Sequence, residues 1–251
     1  MLESGRFAAD DMTDVRRTIE RNGWATLAVN GEEAPLMSHL PCLVSPLDPG
    51  GSSRHVVVEG HLPRADPVVP FIQAGGPVLL AFQGPHGYVS AGWYHQEPSV
   101  PTWNYVAVHI TGVAEELRGE DAMAILRATV EHFEAARPDP WVLSGAAEEY
   151  ARRIASAVFC FRVEATLINA RRKLSQDKEK VVVERVIEAL REPSPYHAPR
   201  LAEEMERAKA NGGPRIQGGQ SSPANDYIER NRCRAPIQGV TERIQESRRS
   251  R

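Results

Sequence analysis

The amino-acid sequence predicts a mainly β protein with peripheral helices, an α+β fold organised around an antiparallel barrel. Six or seven short segments rich in β-branched and aromatic residues alternate with turn residues. Most connections between these segments are too short for a crossover helix, so neighbouring strands are expected to be antiparallel. The 251 residues, 41% hydrophobic and 25% charged, can bury one core of this kind.

The first third of the chain predicts one helix followed by three strands. Thr13 can cap a helix that ends near Arg21, and Gly23 can stop it. The segment 24–29 predicts a strand, and Asn30-Gly31 favours a hairpin turn into a second strand over 36–44. A loop rich in Pro, Gly and Ser over 45–53 then leads to a strand over 55–59.

The middle of the chain predicts one short helix and three more strands. Three prolines within 60–77 exclude a long helix there, but 67–74 can form a short one with Asp66 as its cap. The strands follow over 78–83 and 88–94, joined by Gly-Pro-His-Gly, and over 102–113.

The last part of the body predicts helices around one further strand. Helical spacing of apolar residues favours helices over 119–136 and 146–156, and 158–168 predicts the last barrel strand. Asp177 can cap a helix that runs to about Leu190.

Composition divides the chain into a body, residues 1–194, and an arm, residues 195–251. The arm is rich in Pro, Gly and Arg and carries a net charge of +4, whereas the whole chain carries −3. We expect it to be loosely ordered apart from a charged helix over 199–210. The small overall charge argues against nucleic acid as a partner.

Several classes of protein are excluded by the pattern. The three cysteines form no CxxC pair, so neither a zinc site nor a disulfide framework is indicated, and a cytoplasmic location is the expectation. No apolar run is long enough for a membrane span, and the acidic N-terminal segment does not resemble a secretory signal. Walker, Rossmann and nucleophile-elbow motifs are lacking.

Aromatic and amide side chains concentrate between Val78 and His109. Trp93 ends one predicted strand, and Trp103 and Asn104 begin the next. Burying such groups beside Gln83 requires a hydrogen-bond partner for every polar atom, or a ligand that supplies one. A planar, polar cofactor satisfies this requirement, and a pair of ordinary core strands is the alternative.

Four histidines and two basic segments are further candidates. His39, His61, His86 and His109 lack the spacing of a metal site, so each is either a hydrogen-bonded structural residue or the axial ligand of a haem. Arg64, beside the start of the short helix, suits a phosphate, or else forms a surface salt bridge. The segment 171–176 offers a second group of donors, or a solvated strand end.

The sequence resembles the PaiB family, FMN-binding split-barrel proteins long labelled negative transcriptional regulators. The resemblance covers roughly residues 1–195 and rests on SHLP (38–41), GHLPRADP (60–67), VLLAFQGPHGYVSAGWY (78–94), VPTWNYVAVH (100–109) and KLSQ (173–176). It implies a dimeric, six-stranded, Greek-key-type split barrel with two FMN molecules in grooves at the dimer interface.

The resemblance also implies the cofactor-binding residues. His61 and Arg64 would hold the phosphate, and the isoalloxazine would lie against the backbone of Ser38, His39 and Leu40. Further contacts are implied or expected for Gln83, Trp93, Trp103 and Asn104, and for Lys173, Ser175 and Gln176, which would close the site. Asp66 stands where the family often has Asn, which places a carboxylate near the expected phosphate.

Three functions follow as hypotheses. The first is an FMN-dependent oxidoreductase, a homodimer that takes electrons from a reduced nicotinamide or another reductant and acts on a small organic substrate, in a specialised biosynthetic pathway. The second is a transcriptional regulator or flavin-binding module, although no recognition helix is evident. The third is a haem-dependent oxygenase. No catalytic acid or base is assigned.

Overall fold

Seven antiparallel strands and six helices make up residues 11–46 and 55–210, the part of the chain that the computed structural model describes. The strands are β1 (Trp24–Asn30), β2 (Pro35–Val44), β3 (Val57–Pro63), β4 (Pro77–Val89), β5 (Thr102–Leu117), β6 (Val158–Glu164) and β7 (Leu167–Lys173). The helices are α1 (Met12–Arg21), α2 (Val69–Gln73), α3 (Gly119–Glu134), α4 (Gly145–Ile154), α5 (Lys180–Arg191) and α6 (Pro199–Ala210).

The strands close into a barrel. Their order is β4-β1-β2-β3-β6-β5-β7, and β4 also pairs with β5, so the sheet returns on itself. Every pairing is antiparallel. The predicted fold class, a mainly β barrel with peripheral helices, is confirmed. The described strands number seven rather than six.

The additional strand arises where one long strand was predicted over 158–168. The chain leaves β6 after Glu164, and the amides of Ala165 and Thr166 bond to carbonyls of Val56 and Thr111. The chain then returns along β5 as β7, with His109 opposite Asn169. The prediction of a single strand is therefore wrong. Ala165 and Thr166 form a corner between β6 and β7, which pair with different parts of β5.

Gly-Pro-His-Gly does not form the predicted turn. β4 continues through it to Val89, and its pairing with β5 shifts register between Gln83 and His86. Pro85 has no N–H to donate, so it is accommodated in a bulge rather than in regular pairing. The chain leaves the sheet after Val89 and enters a 3₁₀ turn over Ala91–Tyr94, where a strand was predicted.

The main core lies inside the barrel. Alternate residues of each strand point inward, as in β1, where Ala25, Leu27 and Val29 are buried. Helix α1 adds Val15 and Ile19 to the same cluster. These fully buried positions fix which face of every strand points away from the core.

A second core lies between the barrel and the last two helices. Its buried residues are Val89, Tyr94, Val106 and Leu174 from the barrel side, with Val182, Val183, Val186, Ile187, Leu190, Leu201, Ala202 and Met205 from α5 and α6. The helix predicted over 199–210 is present with those bounds, and it packs on the body. Although the composition changes after residue 194, helix α6 beyond that point still packs on the body. Residues 211–251 lie outside the described part.

The described residues contain neither a membrane-spanning helix nor a metal-binding cluster. No helix there is long and apolar enough to cross a membrane. Within the same ranges, no three His, Cys, Asp or Glu side chains are grouped so that they could hold a metal ion.

Candidate functional site

Arg64 follows the end of β3 and is held by three hydrogen bonds. Its Nε donates to the carbonyl of Ser156 at 2.9 Å, and its Nη2 donates to the carbonyl of Val158 at 3.0 Å. Its Nη1 donates to Glu116 Oε1 at 2.9 Å. The guanidinium also lies 5.4 Å from the centre of the Phe159 ring. The side chain is therefore fixed at the barrel end, and it forms the ion pair that the sequence left as an alternative.

A groove of about 530 Å³ opens beside Arg64. This volume lies within the usual range for sites that hold small molecules and cofactors. We call it the Arg64 groove; it is lined by Arg64, Leu117, Arg118, Gly119, Glu120, Ala122, Met123, Arg152, Ala155, Ser156 and Val158.

Ser38 and Asp66 connect strand β2 to the segment after Arg64. The Ser38 hydroxyl donates to Asp66 Oδ2 at 2.5 Å. The other carboxylate oxygen accepts the backbone N–H of Val68 at 3.0 Å. Val68 is itself the N-cap residue of α2 and no side chain caps that helix, so the prediction of Asp66 as its cap is wrong. Because both oxygens have protein donors, Asp66 brings Ser38 close to the Arg64 segment.

His61 lies on the face of β3 that α3 covers. It stands opposite Cys160 of β6, which packs against Ala122 and Ile125. Burial lowers the pKa of His61, and its Nδ1 is buried with no hydrogen-bond partner in the described structure. The ring is therefore a neutral polar group near physiological pH, two residues before Pro63 and three before Arg64.

His39 belongs to a row of residues on the outside of the barrel. His39, Thr26, Ala81, His109 and Asn169 stand opposite one another across five strands. Residues paired in this way share one face of the sheet. His39 Nδ1 lies 3.1 Å from the Thr26 hydroxyl, and burial lowers the pKa of His109.

This outer face also carries Gln83 and large apolar side chains. Gln83 is exposed two residues beyond Ala81 on β4. Trp24 on β1 is 65% exposed and Met37 on β2 is 67% exposed, and the face also carries the exposed Val113 and Leu167. We call this side of β1, β2, β4, β5 and β7 the outer face. Leu40, by contrast, points inward and is buried in the core.

Asn104 and Ser175 form a buried hydrogen bond at the other end of β5. Asn104 is 0% exposed, and its Nδ2 donates to Ser175 Oγ at 2.8 Å and to Met205 Sδ at 3.6 Å. Its Oδ1 has no partner in the described part. Ser175 itself has a φ of 61°, in the left-handed region. We call this pair the clamp, since it ties the loop after β7 to β5 and α6.

Lys173 and Gln176 are also engaged within the chain. Lys173 Nζ bonds the hydroxyl of Thr102. The Gln176 amide accepts the N–H of Leu174 at 2.6 Å and donates to the carbonyl of Arg172. All these contacts shape the loop between β7 and α5, where α5 begins at Lys180, three residues later than predicted.

An aromatic cluster surrounds the clamp end. Trp103 stacks on His86 with ring centres 5.9 Å apart and meets Tyr88 at 6.4 Å. Tyr196, from the segment before α6, contacts both Tyr88 and Trp93. Trp103 remains half exposed. The cluster therefore combines partly exposed rings from the barrel with one from the C-terminal segment.

The twelve predicted cofactor residues thus fall into separate groups. Ser38, His61 and Arg64 lie at the groove end, His39 and Gln83 lie on the outer face, and Leu40 is buried in the core. Trp93, Trp103, Asn104, Lys173, Ser175 and Gln176 lie at the clamp end. Glu116 and Asn104 are twelve residues apart in β5, about 40 Å for an extended strand, so one protomer does not bring both ends together. The roles assigned to these residues stay predictions.

Two residues that line the groove, Arg118 and Arg152, escaped the sequence analysis, and so did Glu116 beside them. Glu116 bonds both Arg64 and Arg118, and Arg118 holds it through two hydrogen bonds of 2.8 Å. Hydrogen bonding from Arg118, joined by Arg64 and Gln73, lowers the pKa of Glu116 to about 2. Arg152 bonds Glu120 from 32 residues away. No local pattern signals such pairs, because their partners are distant in sequence.

Comparison with known proteins identifies the family. Residues 1–167, two thirds of the chain, match the family described as "Putative FMN-binding domain". "Protease synthase and sporulation protein PAI 2" of Bacillus subtilis is 29% identical over 200 residues, which cover 80% of this chain and 94% of that protein. An uncharacterized protein of Aspergillus fumigatus is 27% identical over 199 residues, 62% of this chain and 76% of its own.

Solved structures show the same fold at low identity. The "FAD and Heme binding protein" from Mycobacterium smegmatis aligns with a TM-score of 0.50 and 14% identity, over 66% of this chain and 72% of that chain. The flavocytochrome Anf3 from Azotobacter vinelandii aligns with a TM-score of 0.50 and 15% identity, over 68% of this chain and 72% of that one. The expected split-barrel fold and the flavin cofactor of the family are thus confirmed, and the chain belongs to the PaiB-like family of FMN-binding-domain proteins.

Proposed function

We propose that this protein is an FMN-dependent oxidoreductase that acts as a cytoplasmic homodimer on a small organic substrate. The observation that carries the proposal is the Arg64 groove, which places a fixed guanidinium beside the end of β3 in a chain of an FMN-binding family. The buried free thiols of Cys42 and Cys160 are consistent with a reducing compartment.

The groove fits the anionic end of a flavin nucleotide. Arg64 offers a positive charge that is held in place by its bonds to Ser156 and Val158. Leu117, Met123 and Val158 give the groove an apolar wall. A charged head with an aliphatic stem matches this combination, as in ligand sites where a few polar groups orient a mostly apolar molecule.

The outer face suits the ring system. His39, Gln83 and His109 offer hydrogen-bond donors and acceptors there, while Trp24 and Met37 offer apolar surface. Bound FMN would supply hydride and electron transfer. The chain's own residues would orient the ring, bond its polar edge and shield one side from water.

A second copy of the chain would complete this site. The exposed apolar residues of the outer face form the type of surface that proteins bury against a partner. A two-fold dimer can bring the clamp end of one protomer toward the groove end of the other, which a single protomer cannot do. The predicted contacts of Trp93 and Trp103 with the cofactor therefore depend on the dimer.

Reconstitution followed by spectroscopy tests the proposal. We expect the purified chain, after incubation with FMN and desalting, to retain one FMN per protomer and to absorb in the flavin region. Its molar mass, measured by light scattering, should be that of a dimer. A single intense Soret band after incubation with haemin, without flavin retention, would replace FMN by haem. A colourless monomer after both incubations would overturn the proposal.

The oxidoreductase activity needs its own measurement. We expect the flavin-loaded dimer to be bleached anaerobically by a reduced nicotinamide or by dithionite and to recover its colour on exposure to an electron acceptor. A loaded protein whose flavin no reductant reaches would be a flavin-binding module instead of an enzyme.

A further inference from the structure

The aromatic cluster at the clamp end presents two open rings beside a lysine. Trp103 and Tyr196 are each 49% exposed, and Tyr88 contacts both, with ring centres 6.4 Å from Trp103 and 5.3 Å from Tyr196. We propose that this cluster and the ammonium group of Lys173 form a binding site for a small planar aromatic carboxylate, which would be the substrate; this inference rests on the proposed function.

Lys173 stands on the same face of the sheet as the barrel rings of the cluster. His86 is opposite Tyr105 across β4 and β5, and Tyr105 is opposite Lys173 across β5 and β7. The next pair of β4 and β5 is Tyr88 with Trp103. Residues paired in this way share one face, and the two pairs lie about 7 Å apart along β5. The lysine and the rings are therefore neighbours on one surface.

The ammonium group of Lys173 has no anionic partner within residues 11–46 and 55–210. Its Nζ bonds the hydroxyl of Thr102, which directly precedes Trp103. The carboxylate of Asp177, four residues after Lys173, pairs with Lys178 at 3.7 Å instead. Lys173 is only partly exposed. Because a cation that is taken partly out of water is stabilised by a nearby negative charge, this position favours an anionic ligand.

The rings supply a surface for a planar molecule. Trp103 stacks on His86 with ring centres 5.9 Å apart and 23° between the ring planes, and Tyr88 meets Trp103 edge-on at 62°. Trp103 still keeps about half of its surface open. Aromatic rings attract one another in stacked and edge-on arrangements beyond the effect of buried area alone. An aromatic ligand should therefore bind here more tightly than a saturated one.

Tyr196 is held in place before any ligand arrives. Its N–H donates to Ser194 Oγ at 3.2 Å, and the N–H of His197 donates to the Ser194 carbonyl at 3.1 Å. The N–H of Ala198 donates to the carbonyl of Leu190 at the end of α5, at 2.8 Å. Tyr196 thus contributes a fixed ring, which reduces the entropy lost on binding. It lies beyond residue 167, where the match to the family ends.

A monocarboxylate matches the charge of this surface. One ammonium balances one negative charge, and a lysine ammonium acts as a compact point charge. The rings of the cluster are tryptophan, tyrosine and histidine, so they add no second fixed cation for a dianion such as a phosphate. In the proposed two-fold dimer, this end of one protomer approaches the groove end of the other, so a molecule bound here would reach the flavin.

Calorimetric titrations of the FMN-loaded protein test the inference. The probes are naphthoate, its neutral analogue naphthamide and its saturated analogue decahydronaphthoate. Lys173→Gln removes the charge, and Lys180→Gln, at the exposed start of α5, is the matched control. Tyr196→Leu removes one ring, and Tyr150→Leu, a similarly exposed tyrosine of α4, is its control. Thermal unfolding verifies that each variant is folded.

We expect the wild type to bind naphthoate about tenfold more tightly than naphthamide, since one charge-assisted hydrogen bond contributes roughly that factor. It should bind naphthoate about fivefold more tightly than decahydronaphthoate, the effect of about one aromatic contact. Lys173→Gln should abolish the first preference. Tyr196→Leu should weaken naphthoate binding about threefold. The two controls should keep both preferences.

The outcomes separate the two proposals. A wild type that binds none of the probes, or a preference for naphthoate over naphthamide that folded Lys173→Gln retains, overturns this inference while flavin binding stands. A folded Lys173→Gln protein that no longer retains FMN would assign Lys173 to the cofactor and overturn it as well. If the wild type retains no flavin, the proposed function fails, and the same titrations of the flavin-free chain decide whether the carboxylate site exists.

Discussion

The two ends of strand β5 carry charged and polar side chains that serve different purposes. At the groove end, Glu116 pairs with Arg64 and Arg118 beside an open groove. At the clamp end, Asn104 bonds Ser175 in a fully buried position. Both ends were expected to bind the same cofactor. The two ends differ in access: Arg64 borders an open groove, whereas Asn104 is fully buried.

The clamp end is stabilised by an ionic network as well as by apolar packing. Glu204 of α6 accepts from Arg17 of α1 at 2.9 and 3.0 Å and from Arg172 of β7 at 3.1 Å. Asp14 bonds the same two arginines. This network fastens the last described helix to the body, next to the clamp.

The largest effect on stability is expected for Glu204→Gln. The change leaves Arg17 and Arg172 poorly compensated in a nearly buried site, where removal of one partner of an ion pair typically costs about 3 kcal/mol. Urea unfolding at neutral pH measures the loss. The control Glu203→Gln, on the exposed side of the same helix, should change the free energy of unfolding by less than about 0.5 kcal/mol. Equal losses in the free energy of unfolding for both variants would show that the network does not stabilise the packing of α6 on the body.

A smaller loss, about 2 kcal/mol, is expected for Asn104→Ala. The substitution leaves the Ser175 hydroxyl without its buried donor and removes a contact to Met205. Thermal unfolding measures this effect, with Ser144→Ala as the control, since Ser144 is exposed and its side chain makes no cap hydrogen bond to α4. The folded variant should still bind FMN with nearly wild-type affinity. A large loss of affinity without a loss of stability would show instead that Asn104 contacts the cofactor.

The smallest effect, about 1 kcal/mol, is expected for Glu116→Gln at the groove end, and it should depend on pH. The folded protein lowers the pKa of Glu116 from 4.5 to about 2, mainly through the hydrogen bonds from Arg118. A lowered pKa stabilises the fold fully above the unfolded value of 4.5, and the contribution is lost as the pH falls toward 2.

The stability difference between wild type and Glu116→Gln, measured by urea unfolding between pH 7 and 3, should therefore be constant down to about pH 5 and shrink below it. A difference that stays constant through this range would mean that the carboxylate is not held by the two arginines. Asp139→Asn provides a control, since no ion pair involving Asp139 is found in the described structure.

The barrel was predictable because strands leave local signals. The β-rich composition of 24–29 marked β1, and Asn30-Gly31 marked the turn into β2. The bulge at Pro85 was missed because turn residues also occur in bulges, and only the long-range pairing of His86 with Tyr105 distinguishes the two. The corner at Ala165-Thr166 carries no Gly or Pro, so the sequence offered no stop signal there.

The site was predictable only in part. Arg64 could be identified from its place after β3 beside a short helix. Arg118 and Arg152 could not, because they meet the groove through folding of distant segments. The hydrogen bond between Asn104 and Ser175 could not be predicted, because the two residues stand 71 positions apart. The contacts of the clamp residues with the cofactor stay a prediction.

A crystal structure of the FMN-loaded protein would test the central claim most directly. We predict the phosphate within hydrogen-bond distance of Arg64, and the bond between Asn104 and Ser175 unchanged. A phosphate bound away from the Arg64 groove, or Asn104 released from Ser175 and bonded to the flavin ring, would contradict the account.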